Sequence, residues 1–148
     1  MKGKGFLKVT GILMVIFAGI ALLSEIISLI FGVRIMEYYT AQSGVSMAAA
    51  NIAVYGMLGI SIVLSALELF TGIIGIKNCD KPDKSTICIV FGSIVLGIDL
   101  IGYVMMLIIV RMPLALVVLT LIVALISLAL PVLYLIGAIL NKNSTVEL

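Results

Sequence analysis

Hydrophobic residues fill four runs of this chain, at about 9–33, 52–76, 87–110 and 114–140, and polar residues collect between them. Each run exceeds the roughly 20 residues that an α-helix needs to cross a hydrocarbon core of about 30 Å. None shows the strict alternation of a half-buried strand, and none has a charged face that would keep one side of a helix in water. In lipid the backbone must satisfy its own hydrogen bonds, and a helix does so within one segment. The pattern therefore predicts an all-α membrane protein with one transmembrane domain over residues 1–148. The longest connection spans 34–51 and the shortest is Arg111-Met112-Pro113. Connections this short place successive helices side by side and opposed. The expected architecture is an antiparallel four-helix transmembrane bundle.

The polar punctuation fits this plan. Lys77–Thr86 reads as a short turn closed by Pro82, with Asp83 or Ser85 placed to cap the third helix. Pro113 suits the first turn of the fourth helix, where its missing N–H is not needed. Arg34 and Glu37 are spaced for a pair if the first helix continues outward. Tyr38, Tyr39 and Tyr55 suit the outer interface, where a ring can stay in lipid while its hydroxyl meets water.

Composition agrees, at 64% hydrophobic, 11% charged and a mean hydropathy of +1.40. That excludes an ordinary soluble domain, and no basic patch suggests nucleic acid. The distribution of charge says more than its total. Lys2, Lys4, Lys8, Lys77, Lys81, Lys84 and Lys142 fall on one side of four spans, and only Arg34 and Arg111 on the other. The bias places both termini in the cytoplasm of a multi-pass protein of the cell membrane, and it opposes a dual topology. The first run is too long for a cleaved signal, and no small-x-small site follows it closely. It reads as an uncleaved anchor. Cys79 and Cys88 belong to the reducing side, so two unpaired thiols are expected.

Three carboxylates interrupt the runs: Glu25, Glu68 and Asp99. An ionised carboxylate near a helix centre costs roughly 2.5–3.5 kcal/mol. Each Leu, Ile or Val returns about 0.3–0.6 kcal/mol, so the helices still insert. No basic residue shares the depth of the acids. The segment from Phe17 to Ile27 aligns without gaps on that from Phe91 to Ile101, and the acid falls at the same place in both. A tandem repeat of two hairpins and chance among Ile- and Leu-rich sequence both account for this.

One face per helix passes through each acid in steps of three and four. The faces are Gly11, Met14, Ala18, Ala21, Glu25, Ser28, Gly32; then Ser61, Ser65, Glu68, Gly72, Gly75; then Cys88, Gly92, Val95, Asp99, Gly102, Met106. A face through the proline of the fourth run reads Thr120, Ala124, Ser127, Pro131, Tyr134, Ala138. These residues are mostly small or polar, as close helix packing in lipid requires. The acids are therefore expected to point inward. Gly19, Ser24, Gly59, Ser93 and Gly97 lie off these faces and offer a second packing surface.

Three readings of the acids remain open. They can be neutral core groups, hydrogen-bonded to Ser61, Ser65, Ser28, Tyr134 and the Ser127 carbonyl that Pro131 frees. They can form a proton or cation site at the bundle axis. A partner helix can bring them a Lys or Arg. No nucleophile–base pair, phosphate loop, metal cluster or cofactor site accompanies them, so no enzyme is expected. Asn143-Ser144-Thr145 is a glycosylation sequon on the wrong side, and Val146-Glu147-Leu148 is a common ending.

The four-span plan, with Gly72-Ile-Ile-Gly75-Ile-Lys-Asn78 leading into a charged turn, resembles the small four-span integral membrane proteins of Gram-positive bacteria. The resemblance covers most of the chain and implies a membrane location but no activity. Small multidrug transporters are similar in span count and in a first-span glutamate. This chain departs from them in its single orientation, its three membrane acids and its lack of Trp. The tetraspanin Cys-Cys-Gly signature is missing. The expected function is a structural or accessory role in the membrane, and the alternative is a small proton- or cation-coupled transporter. The lipid bilayer is the expected partner, with other membrane proteins or a second copy as further candidates.

Overall fold

Residues 3–43, 47–109 and 114–144 are described by a computed structural model of the protein. With almost no polar side chain to compete for backbone groups, they wind into four helices. These are α1 (Lys4–Ser43), α2 (Met47–Asn78), α3 (Ser85–Ile109) and α4 (Leu114–Asn143). All four are long and apolar enough to cross a membrane. Pro82–Lys84 forms one 3-10 turn between α2 and α3. Lys2, Arg111, Pro113, Thr145 and Val146-Glu147-Leu148 lie outside the described residues, as do the side chains of Arg34, Glu37, Tyr38 and Tyr39.

Two expectations about the connections change. The 34–51 connection is helical up to Ser43 and again from Met47. At 1.5 Å per residue α1 is about 60 Å long, twice the hydrocarbon thickness. Arg34, Met36, Glu37, Ala41 and Gln42, and then Met47 to Ala50, carry helix propensity past the end of the apolar run. No side chain caps the turn at Lys81, and Ser85 accepts a hydrogen bond from Asn141 Nδ2 at 3.0 Å.

Successive helices pack as antiparallel pairs. α1 packs along α2, α3 along α4, and α1 also along α4, while α2 packs less closely on α3. Glycine sets the closest approaches. A Cβ on Gly72 would fall 2.8 Å from the Gly11 carbonyl oxygen, and one on Gly3 would fall 2.2 Å from the Asn141 backbone nitrogen. A Cβ on Gly137 would meet the Leu7 backbone at 3.0 Å. Lipid tails are as apolar as leucine, so such contacts, rather than hydrophobic exclusion, hold helices together.

The packing is uneven along the axis. Described buried residues run from Leu7 to Ala18 in α1 and from Ser65 to Cys79 in α2. They run from Ser85 to Val95 in α3 and from Ala124 to Asn141 in α4. The end that carries Gly3 and Ser144 is closed, and beyond these limits no described side chain is buried. The inward faces read from sequence therefore hold at Gly11, Met14, Ser65, Gly72, Cys88, Gly92, Pro131 and Tyr134, but Ser28, Gly102 and Ser127 are exposed. Cβ atoms on Gly19, Gly59 and Gly97 would meet nothing within 4 Å, so this surface is unpacked within the chain.

Tyr134 is the largest fully buried side chain. Its ring sits between Gly75 of α2 and Gly92 of α3, and its hydroxyl donates to the Thr71 carbonyl at 3.0 Å. Thr71 and Thr10 satisfy their own hydroxyls on carbonyls of the preceding turn. Cys79 and Cys88 are both free and buried. At the surface of the closed end, Lys4 pairs with Asp80. That hydrogen bond and charge hold the Asp80 carboxyl below the usual carboxylate range, helped by Lys8 and Lys81. The pair is exposed, so salt screens it.

Candidate functional site

The three acids sit where the closed half of the bundle gives way to the open half. Glu25 follows the last buried residue of α1 by two turns, and its Oε1 accepts from Ser65 Oγ of α2 at 2.9 Å. Its other oxygen, Oε2, is buried with no hydrogen-bond partner. Glu68 lies one turn along α2 from Ser65. It is half-buried and forms part of a cleft of about 510 Å3, with Phe17 and Ala21 of α1 and Val123, Ile126, Ser127 and Leu130 of α4.

Asp99 lines a second cleft of about 200 Å3, between α2 and α3, with Leu64, Ile98, Gly102 and Tyr103. The second cleft lies between α2 and α3, which pack on each other less closely than α1 on α2 or α3 on α4. Among the described residues, neither carboxylate has a hydrogen-bond partner. No described basic side chain reaches this layer; Lys77 lies about 13 Å further along α2.

The expected supporting residues divide. Ser65 binds Glu25, whereas Ser61 turns its hydroxyl to the Leu58 carbonyl at 3.0 Å. Tyr134 serves the Thr71 carbonyl in the closed half. Ser127 lines the Glu68 cleft, but its hydroxyl is shared with Tyr103 at 2.6 Å and with the Val123 and Ala124 carbonyls. The Tyr103–Ser127 contact ties α3 to α4 above the acids. Tyr103 was not among the residues singled out from sequence, although it stands four positions from Asp99 on the same helical face. Asn141 was also missed. It continues the face through Tyr134 and Ala138, is fully buried, and leaves its Oδ1 without a partner.

The arrangement is a layer of acids rather than one cage. Among the described residues, no three His, Cys, Asp or Glu side chains are grouped to hold a metal ion. Compared with known proteins, the chain matches no family model, and no curated protein or solved structure matches it.

Proposed function

We propose that this chain is a small proton- or cation-coupled membrane carrier whose working groups are Glu68 and Asp99, with Glu25 braced beside them. One observation carries the reading: Glu68 and Asp99 face clefts and have no hydrogen-bond partner among the described residues. A purely structural role accounts for Glu25 on Ser65. It leaves two half-buried carboxylates unexplained, and uncompensated carboxylates are costly at this depth. A proton or a bound cation removes that cost.

Purified protein in liposomes tests this. With an imposed proton gradient, the parent should move protons faster than empty vesicles do. The double variant Glu68→Gln, Asp99→Asn should reduce the flux to the empty-vesicle level while keeping its helix content and a single elution peak. Amides retain donor and acceptor groups but cannot ionise. A parent without flux, or a double variant that transports normally, would return the protein to an accessory role.

The same reading places both termini in the cytoplasm of the cell, supported by the seven lysines against two arginines. Single cysteines at Ser43 and Ser144, in a background lacking Cys79 and Cys88, should then differ in intact cells. An impermeant thiol reagent should label the Ser43 site alone. Labelling of Ser144 in unbroken cells would reverse the orientation.

A further inference from the structure

We infer that the cleft at Asp99 seats a lysine or arginine carried near the middle of a transmembrane helix of a second protein, and that this helix regulates transport by holding Asp99 ionised. The regulatory half rests on Asp99 being a working carboxylate; the docking half does not. Asp99 lies about 21 Å along α3 from Ser85, so its charge is deep in the hydrocarbon. It is half-buried there, and no described side chain bonds to it or neutralises it.

The cleft selects a side chain rather than a free ligand. Its volume of about 200 Å3 is below the roughly 300–1,000 Å3 of small-molecule sites. Leu64 and Ile98 give it apolar walls, which suit a basic side chain that buries its methylene stem and keeps its charge on a polar group. The Tyr103 hydroxyl is already engaged with Ser127, so the carboxylate alone among the lining side chains offers a free polar group. An inorganic cation asks for about six oxygen ligands and does not find them here.

The rim of the cleft selects a helix. α2 and α3 pack loosely on each other, and a Cβ on Gly102 would meet nothing within 4 Å. A helix backbone can therefore approach α3 closely at this point. Ile101, 64% exposed, and Val104, 51% exposed, flank Gly102 with apolar surface for the same helix. Charge decides which helix it is. None of the four apolar runs holds a lysine or arginine, so a second copy brings no counter-charge. A lone basic residue is as costly in another membrane helix as Asp99 is in this one, and pairing them relieves both.

The test reconstitutes the full chain in liposomes with a synthetic helix of about 20 leucines and alanines, enough to span the bilayer. One peptide carries a central lysine, and its control carries norleucine there. Binding is read by energy transfer to a dye on the peptide from a dye at Ser144→Cys, in the background lacking Cys79 and Cys88. The lysine peptide should bind saturably, one per chain, and about tenfold or more tightly than the control, the range for a charged hydrogen-bonded pair. Asp99→Asn should reduce its affinity to that of the control. Gly102→Ile keeps the carboxylate but blocks close approach, and it should weaken binding to a similar degree. A thermal melt close to the parent's confirms that each variant is folded. Under a proton gradient the bound lysine peptide should lower the parent's flux, and the control should leave it unchanged. Equal binding of the two peptides, or an unchanged affinity in folded Asp99→Asn, would overturn the inference while leaving the parent's flux, and so the carrier reading, intact. Flux that persists at saturating lysine peptide would overturn the regulatory half. Binding to a parent that moves no protons would support the docking site and remove the carrier reading.

Discussion

Gly72→Leu should destabilise the protein more than any single change in its lipid-facing surface. The reason is the absence of anything that can yield. A Cβ at this position falls 2.8 Å from the Gly11 carbonyl oxygen and 2.9 Å from Val15 Cγ2. The oxygen belongs to the backbone of α1, so relief requires the α1–α2 pair to move apart along its length. Overpacking of a close contact typically costs about 1–3 kcal/mol. Here the cost should reach the upper end, because Met14 Cβ also lies only 3.1 Å from that point. Leu69→Ile is the control, as it keeps volume on a partly exposed position of the same helix. Thermal unfolding in detergent should show a clear drop for Gly72→Leu and almost none for Leu69→Ile. Equal shifts would mean that α2 is rotated from the position described.

The second large effect centres on Tyr134. A methyl group on Gly75 would lie 2.3 Å from Tyr134 Cε2, and on the other side of the ring a Cβ on Gly92 would lie 2.9 Å from Cδ1. The ring cannot retreat from one glycine without striking the other. Gly75→Ala, a single methyl, should therefore cost about 1–3 kcal/mol. Tyr134→Leu removes the ring and should be destabilising by itself, but Gly75→Ala added to it should cost far less. The expected coupling lies within the roughly 0.5–3 kcal/mol seen for residues in contact. Tyr134→Phe isolates the hydroxyl. It removes only the bond to the Thr71 carbonyl, and membrane hydrogen bonds of this kind average about 0.6 kcal/mol, so the effect should be small. Additive costs for Gly75→Ala and Tyr134→Leu would place the ring elsewhere. So would a loss in Tyr134→Phe as large as in Tyr134→Leu.

Both predictions concern the half of the bundle that is closed, and this half was readable from the spacing of small residues. Gly11, Gly72, Gly75 and Gly92 lie on faces of small residues spaced by three and four, and each meets a neighbouring helix. The same rule applied to Ser28, Gly102 and Ser127 fails, because those residues are exposed. Periodicity reports which residues share a side of a helix. It does not report how far along its length that helix stays in contact with another. In the open half Gly59, Gly97 and Gly102 are present, but a Cβ on any of them would meet nothing within 4 Å, and that separation between helices is not written in any one of them.

The acids show the same division. Their number, their depth and the absence of a nearby base follow from the order of residues in the chain. So do four apolar helices and the crowding of lysine at one end, because length and transfer free energy act on each segment separately. Which carboxylate is braced and which faces a cleft depends on distances between segments far apart in sequence. Ser65 reaches Glu25 across 40 positions, and Tyr134 reaches the Thr71 carbonyl across 63. By sequence alone Tyr134 is a partner for the acids, since it is polar and on their face. Two glycines from two other helices draw it into the closed half instead. Packing of side chains against backbone from elsewhere in the chain is a property of the assembled helices, and only the tertiary structure decides it.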